Sequence, residues 1–262
     1  MERALDLFEN APSSADKAEA WFHYQGIFMF HAQGRIEPGF AAASRALKIA
    51  EEAGADALIP RYLSVLARYP AFRGQLEEGF AILRRGRALA EASGNGAALL
   101  WMAGNESAAL LGTGQFERAA EVALRGFRAA HQTGLDAWSD SVVSNACEAL
   151  LPLGRTADAA ALIGPLTSGP PDRGHWVVHQ CRAEIDLLRG DIEAATQRQQ
   201  RINPITSRIR SLDVAPEAGQ RAAGLALWVG RPGDALQEVN RVLGLFEVPD
   251  LTILCGRLLA AG

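Results

Sequence analysis

His175 and His179 are the residues whose types and spacing come nearest to metal chemistry. Two histidines four positions apart lie on one face of a helix, and Cys181 and Glu184 follow closely in the sequence. Zinc requires three or four convergent ligands, and here only the histidine pair shares a face. We therefore interpret the pair as surface or interface histidines that follow a loop, and we predict no metal site.

The motifs of nucleotide hydrolysis and of nucleophilic catalysis are missing from this sequence. A Gly-x-x-x-x-Gly-Lys phosphate loop is excluded because the two lysines, Lys17 and Lys48, lie in other contexts. No Gly-x-Ser-x-Gly elbow occurs either. We expect a protein that is not an enzyme, with no catalytic residue and no cofactor.

Composition and charge favour a soluble helical protein over a nucleic-acid-binding or membrane protein. A formal net charge of −4 gives no electrostatic reason to bind DNA, RNA or an anionic membrane. Three distant cysteines, Cys147, Cys181 and Cys255, fit reduced core thiols of a cytosolic protein. The N-terminus lacks the apolar core of a signal peptide, and no apolar run approaches the roughly 20 residues of a membrane span. We expect a cytoplasmic location and no membrane partner.

Glycines recur along the chain at a nearly fixed period, which is the signature of a repeat architecture. The first glycine column is Gly34, Gly74, Gly114, Gly154, Gly190 and Gly230, and the second is Gly54, Gly94 and Gly134. Small residues follow five positions after each first-column glycine, at Gly39, Gly79, Ala119, Ala159, Ala195 and Ala235. A third small column is Ala46, Gly86 and Gly126. A glycine after an apolar-periodic run predicts a left-handed residue that ends a helix, and small contact residues let two helix axes approach closely.

The repeating unit is therefore two antiparallel helices joined by a tight glycine turn. One pair cannot bury its apolar face alone, so the pairs must stack. The pattern predicts an all-α, right-handed α-solenoid of about six pairs in one domain, residues 1–262. The repeats cover about 15–54, 55–94, 95–134, 135–170, 171–210 and 211–250, with a partial seventh at 251–262. Pro70 and Pro152 lie late in helices and predict an early end or a kink, and the stretch 203–216 is the least regular.

Both ends of the chain lack the polar capping units that solenoids normally need. Leu5, Leu7 and Phe8 at one end, and residues 251–258 at the other, would then be partly exposed. We interpret the chain as a piece of a longer protein, truncated at both ends. The alternative is that a partner or self-association covers the uncapped ends.

Three stretches carry a resemblance to a known family. They are residues 146–159 (Ala-Cys-Glu-Ala-Leu-Leu-Pro-Leu-Gly-Arg-Thr-Ala-Asp-Ala), 189–195 (Arg-Gly-Asp-Ile-Glu-Ala-Ala) and 225–235 (Leu-Ala-Leu-Trp-Val-Gly-Arg-Pro-Gly-Asp-Ala). Together with the glycine columns they resemble the tetratricopeptide repeat in its form of roughly 40 residues. More narrowly, they are similar to the helical-repeat region of large ATP-binding LuxR-type transcriptional regulators of actinobacteria, related to the maltose-regulon activator. That resemblance implies a sensor arm that neither hydrolyses ATP nor reads DNA, because DNA binding would need a helix-turn-helix absent from this chain.

The resemblance also implies where a partner binds, since the first helix of each tetratricopeptide unit lines the concave surface. The matching positions are Trp21, Tyr24, Phe28, His31, Arg61, Arg68 and Trp101, with Asn105 and Asn145 in one column beside them. Aromatic rings flanking two arginines would hold an extended peptide, a partner protein, or a small-molecule inducer with an apolar body and an anionic end. The alternative is that Trp21 and Trp101 simply pack between neighbouring helices. A stand-alone repeat protein that binds a peptide in this groove is the competing functional hypothesis.

Overall fold

The structure is a computed structural model that describes residues 5, 8, 10–30, 36–132, 134, 140–171, 176–209 and 215–245. Within these residues the helices follow one another in six pairs and no strand occurs. The pairs are α1 Ala15–Phe30 with α2 Ile36–Glu52; α3 Ile59–Leu66 and α4 Arg68–Phe72 with α5 Leu76–Ala92; α6 Gly96–Gly112 with α7 Phe116–Gln132; α8 Asp140–Leu150 with α9 Thr156–Ile163; α10 Trp176–Leu188 with α11 Ile192–Thr206; and α12 Ala215–Trp228 with α13 Pro232–Leu243. A short 3₁₀ turn, Pro165–Thr167, follows α9.

Each pair packs against the next one, and the first helices form a continuous row. Within the row α3 contacts α6, α6 contacts α8, α8 contacts α10, and α10 contacts α12. The prediction of an all-α solenoid of stacked helix pairs is confirmed. The partial seventh repeat at 251–262 lies outside the described residues.

The glycine columns end the helices as the sequence predicts. Every described member has a positive φ, between 64° and 82°; these are Gly54, Gly74, Gly94, Gly114, Gly134, Gly154, Gly190 and Gly230. At Gly94 the amide of Asn95 donates to the carbonyl of Ala90 at 2.9 Å, and the Gly94 amide donates to Glu91 at 3.2 Å. These two hydrogen bonds supply donors to the Ala90 and Glu91 carbonyls, which would otherwise be unsatisfied at the end of α5.

Small residues lie where one helix crosses another. Ala119, Ala159 and Ala195 have no exposed surface, and Gly39 and Gly79 are also buried. Larger buried side chains such as Tyr62, Met102 and Leu110 fill the space between these crossings. The small columns therefore set how closely the helices approach.

Prolines break the regular pattern in two of the places that the sequence indicates. The first helix of the second pair ends at Leu66 and resumes as α4, because Pro70 has no N–H to donate to the Leu66 carbonyl. Helix α8 ends at Leu150, two residues before Pro152. The stretch from Asn203 is more regular than predicted, since α11 continues through Pro204 to Thr206. A proline in the last turn removes only one helical hydrogen bond there.

The first described residues correct one expectation about the uncapped N-terminal end. Leu5 is buried, whereas the pattern predicts partial exposure. Phe8 is half-buried, which agrees with the prediction. Leu7 lies outside the described residues. None of the helices among the described residues is long and apolar enough to cross a membrane.

Gly126 provides a test of the close helix crossings. A Cβ placed on Gly126 in α7 would lie 2.6 Å from the Cβ of Ala103 in α6, and that atom cannot rotate away. We expect Gly126→Ala to lower the free energy of unfolding by about 1–3 kcal/mol, because two helices must separate. The measurement is urea unfolding followed by circular dichroism.

The matched control is Gly224→Ala in α12, where no atom of another described residue lies within 4 Å of the added Cβ, apart from the helix's own backbone. We expect that variant to gain about 0.5–1 kcal/mol, because alanine has the higher helix propensity. Equal stabilities for the two variants would show that the α6–α7 crossing tolerates a wider spacing.

Candidate functional site

Arg61 in α3 is the centre of a cluster that joins three successive first helices. Its guanidinium donates to the carboxylate of Glu19 in α1 at 3.0 Å. The guanidinium carbon lies 4.4 Å from the centre of the Phe22 ring and 5.2 Å from the centre of the Trp101 ring. Both distances are within the range of cation–π attraction, and the Arg61 side chain remains 29% exposed. The cluster of Glu19, Phe22, Arg61 and Trp101, called the Arg61 cluster below, is the part of the predicted groove that the structure brings together.

Phe22 of the Arg61 cluster packs on a buried tyrosine. The ring of Phe22 stacks on that of Tyr62 with centres 4.5 Å apart and an angle of 18° between the planes. Tyr62 has no exposed surface. Burial, followed by the negative charge of Glu19, raises the pKa of Tyr62 well above its usual value. The phenol is therefore neutral under ordinary conditions and acts as a packing group.

Trp21 and Tyr24 lie on the same helix as Phe22 but make different contacts. Their rings meet edge to face with centres 5.7 Å apart. The guanidinium of Arg45, on α2, lies 4.2 Å from the centre of the Trp21 ring, and Trp21 packs against the apolar core. Trp21 and Trp101 therefore contact different arginines. Phe28 belongs to α1, but its side chain lies outside the described residues, as does all of His31.

Arg68 is drawn into the helix packing at the start of α4. Its side chain is half-buried, and burial lowers the pKa of its guanidinium to about 10. It stays protonated at neutral pH. The neighbouring Tyr69, in α4, donates its hydroxyl hydrogen to Gln25 of α1 at 2.9 Å. This hydrogen bond joins the first pair of helices to the second. Arg68 is thus partly held in the helix packing, and its place in a ligand groove stays a prediction.

The two predicted asparagines form bonds between neighbouring first helices. The Asn105 side chain donates to the Ser64 carbonyl at 2.8 Å, and Asn145 donates to the Gly104 carbonyl at 3.0 Å. Asn145 also donates to the Ser107 hydroxyl at 2.9 Å. Both side chains therefore have a structural role in fixing the register of the solenoid. Whether they also contact a ligand stays a prediction.

Extending that asparagine column along the chain leads to a second cluster. The ninth residue before each first-column glycine is Gln25, Val65, Asn105, Asn145, Cys181 and Arg221. Arg221 donates to the sulfur of Cys181 at 3.2 Å, to Glu148 at 2.8 Å and to Glu217 at 3.2 Å. A third carboxylate, on Glu184, lies 3.5 Å away. This Arg221 cluster joins α8, α10 and α12.

Burial alone would lower the pKa of Arg221, but the charges around it outweigh burial and raise its pKa well above the usual value. The Arg221 side chain is only 12% exposed, and the three carboxylates around it compensate its charge within the protein. The nearby Cys147 and Cys181 are both buried free thiols, as the sequence predicts, and Cys255 lies outside the described residues. The hydrogen bond with Cys181, followed by burial, raises the pKa of the Cys147 thiol.

Of the two histidines His175 and His179, the structure describes only His179. His179 is 1% exposed and lies 3.3 Å from a guanidinium nitrogen of Arg198, so it is an interior residue and not a surface one. His175 falls outside the described residues. Over the ranges that the structure does describe, no three histidine, cysteine or acidic side chains are grouped as a metal ion would need.

Sequence reasoning missed Glu19 and Phe22, and in the Arg221 cluster it missed Arg221, Glu148 and Glu217. Arg221 could have been found by continuing the asparagine column through its 36- and 40-residue steps. Glu19 and Phe22 have no such signal, because they lie off the repeat columns and meet Arg61 only through the stacking of α1 on α3.

Several solved structures resemble this fold. BtubC (BKLC) from P. vanneervenii aligns with a TM-score of 0.57 at 15% identity, over 80% of this chain and 91% of that one. The signal transduction ATPase with numerous domains (STAND) protein PH0952 from Pyrococcus horikoshii, which has a tetratricopeptide repeat sensor, aligns with a TM-score of 0.57 at 13% identity. That alignment covers 94% of this chain and 38% of PH0952, so this chain spans little more than a third of its length. No family model matches the chain, and no curated protein sequence matches it significantly. At these identities the likeness establishes a helical-repeat fold.

Proposed function

We propose that this chain is the non-catalytic sensor and interaction arm of an ATP-dependent transcriptional regulator of the LuxR type. The observation that carries the proposal is the fold it shares with a signal-transduction ATPase that has a tetratricopeptide repeat sensor, where the alignment covers 94% of this chain. ATP hydrolysis and DNA binding would then belong to other parts of the regulator. The cytoplasm is where such a regulator would act.

The Arg61 cluster is the surface on which this arm would recognise its partner or inducer. It combines one cation, two aromatic rings and a carboxylate on three successive first helices. An extended peptide or a small inducer with an apolar body and an anionic end fits that chemistry. Glu19 bonds one nitrogen of the Arg61 guanidinium. An anionic ligand that replaces Glu19 there would change how α1 is held against α3.

A stand-alone repeat protein is the second candidate function. The likeness to BtubC (BKLC) favours it, because a solenoid of this size corresponds to 91% of that chain. Such a protein would bind a peptide or a partner protein on the same first-helix surface. The two candidate functions share the Arg61 cluster as the binding surface. They differ in whether other domains flank the repeats.

The reading frame around this segment separates the two candidates. A P-loop ATPase encoded upstream and a helix-turn-helix downstream would support the regulator. A native start at Met1 with a stop codon directly after Gly262 would refute it and leave the stand-alone protein.

The recognition surface itself is tested with probes of defined charge. We expect apolar tripeptides with a free C-terminal carboxylate to raise the melting temperature, and their amidated forms to have a smaller effect. Arg61→Ala should abolish the difference between the two probes. Arg45→Ala is the matched control, because it removes a guanidinium from the other tryptophan, Trp21. Arg68 is left unchanged because it is held in the packing. A carboxylate effect that survives in Arg61→Ala would show that the anion binds elsewhere.

A further inference from the structure

A second cleft lies between α10 and α12, at the other end of the first-helix row from Arg61. It encloses about 210 Å³. Its apolar wall includes Ala183 and Leu187 of α10 with Leu225 of α12. Trp228, at the end of α12, contributes to the lining and yet is 69% exposed. The volume is below the roughly 300–1,000 Å³ of pockets for drug-sized ligands, so the cleft has room for a group the size of a side chain.

Three of the side chains that line this cleft already donate hydrogen bonds within the protein. The Gln180 amide nitrogen donates to the Ala218 carbonyl at 3.3 Å, and the Gln199 amide nitrogen donates to Asn203 at 2.8 Å. The guanidinium of Arg221 is occupied by the carboxylates and the thiol described above. An anionic ligand would therefore compete with existing hydrogen bonds at these three side chains.

Acceptors, in contrast, remain available in the same cleft. Gln180 is 2% exposed, and its Oε1 atom is buried without a hydrogen-bond partner among the residues that the structure describes. A buried carbonyl oxygen without a donor costs free energy, so a group that supplies an N–H would be favoured there. Glu184 is 43% exposed, and its 3.5 Å contact with Arg221 is the longest of that arginine's ion pairs. Its carboxylate therefore keeps acceptor capacity that faces the cleft.

The charges around Arg221 also favour a cationic ligand over an anionic one. Arg221 and Glu184 are the charged side chains of the described cleft lining. Glu148 and Glu217, which pair with Arg221 outside that lining, add two further negative charges. The surplus of negative charge, a buried acceptor and an exposed indole ring are what an organic cation requires. We infer that the cleft between α10 and α12 binds a protonated amine on a short apolar stem, with the ammonium between Gln180 and Glu184 and the stem against Trp228. This inference does not depend on the proposed function.

The amine can come from a free small molecule or from a lysine side chain of a partner protein. The experiment uses the whole chain with two charged probes, n-butylammonium and the peptide acetyl-Gly-Lys-Gly-amide. Their neutral counterparts are 1-butanol and the peptide with norleucine in place of lysine. The readout is the indole N–H signal of Trp228 in a ¹H–¹⁵N spectrum, assigned by its loss in Trp228→Phe.

We expect a saturable shift with at least one charged probe at concentrations up to about 10 mM, and none with the neutral counterparts. Saturation by n-butylammonium alone would indicate a free amine as the natural ligand, and tighter binding of the peptide would indicate a basic segment. Either outcome supports the inference. No saturable shift with either charged probe, or equal shifts with the neutral probes, would overturn it.

Two variants locate the binding. Glu184→Gln should weaken binding at least ten-fold, while Glu193→Gln, which changes an exposed glutamate of α11, should leave it unchanged. Glu184→Gln should leave the fold intact because Glu148 and Glu217 still pair with Arg221. Gly224→Leu should fill the cleft and abolish the shift, since open space surrounds that glycine. Unchanged affinity in either Glu184→Gln or Gly224→Leu, with an unchanged circular dichroism spectrum, would show that the amine binds elsewhere.

Discussion

Replacing Arg221 by alanine is expected to lower the free energy of unfolding by about 3 kcal/mol, one of the two largest effects we predict for a single substitution. The guanidinium is 12% exposed and is shared by the carboxylates of Glu148, Glu184 and Glu217. Its removal would leave three like charges close together without compensation. The expected loss is at the lower end of the range for buried ion pairs, because the carboxylates themselves keep some access to water. The measurement is urea unfolding of the whole chain.

The matched control is Arg231→Ala, which breaks an exposed ion pair with Asp234. We expect that change to cost less than about 1 kcal/mol. A second comparison is Arg221→Met with and without Glu148→Gln and Glu217→Gln. Neutralising the carboxylates should recover much of the lost stability, because the repulsion is then removed. If Arg221→Ala is no more costly than Arg231→Ala, the cluster does not hold α8, α10 and α12 together.

Replacing Tyr62 by alanine is expected to lower the free energy of unfolding by about 3–5 kcal/mol. The side chain has no exposed surface, and its ring stacks on Phe22 at 4.5 Å. Removing the Tyr62 ring leaves a cavity between α1 and α3. It also removes the stacking contact that positions Phe22 against Arg61. We therefore expect loss of the Arg61 cluster together with loss of stability. Urea unfolding gives the stability, and near-ultraviolet circular dichroism reports the aromatic packing.

Tyr62→Phe is the control for this prediction, since it keeps the ring and nearly all of its volume. Its effect should stay below about 1.5 kcal/mol. If alanine is tolerated as well as phenylalanine, neighbouring side chains must collapse into the space, and the stacking on Phe22 is then not what joins the first two pairs.

The proposed sensor role and the two clusters fit together in one physical scheme. The first helices of a solenoid contact only their neighbours, so a change at one crossing is passed on through adjacent crossings. The Arg61 cluster fixes the crossings of α1, α3 and α6, and the Arg221 cluster fixes those of α8, α10 and α12. A ligand that takes Glu19 from Arg61, or an amine that binds Glu184 beside Arg221, would act on a contact between repeats.

The sequence by itself determined the helices, their ends and their pairing. Glycine at a left-handed helix end and alanine at a close crossing are requirements of the local backbone, so they recur wherever the repeat recurs. Gly94 and Gly134 could therefore be placed before any coordinates were known, and so could the helix break at Pro70. The asparagine column was also visible, although its members turned out to bond carbonyls of the preceding first helix.

Only the tertiary structure decided which side chains meet across the stacked pairs. Arg61 pairs with Glu19 and covers Phe22 because of the angle and register at which α3 packs on α1, and no local pattern in the sequence encodes that angle. Trp21 and Trp101 look equivalent in the sequence, but they are covered by different arginines, Arg45 and Arg61. The same holds for Gln180, whose oxygen lacks a partner only because α10 and α12 leave a cleft between them. Hydrogen-bond partners some 40 residues apart depend on how neighbouring repeats are set against each other, and that arrangement exists only in the folded stack.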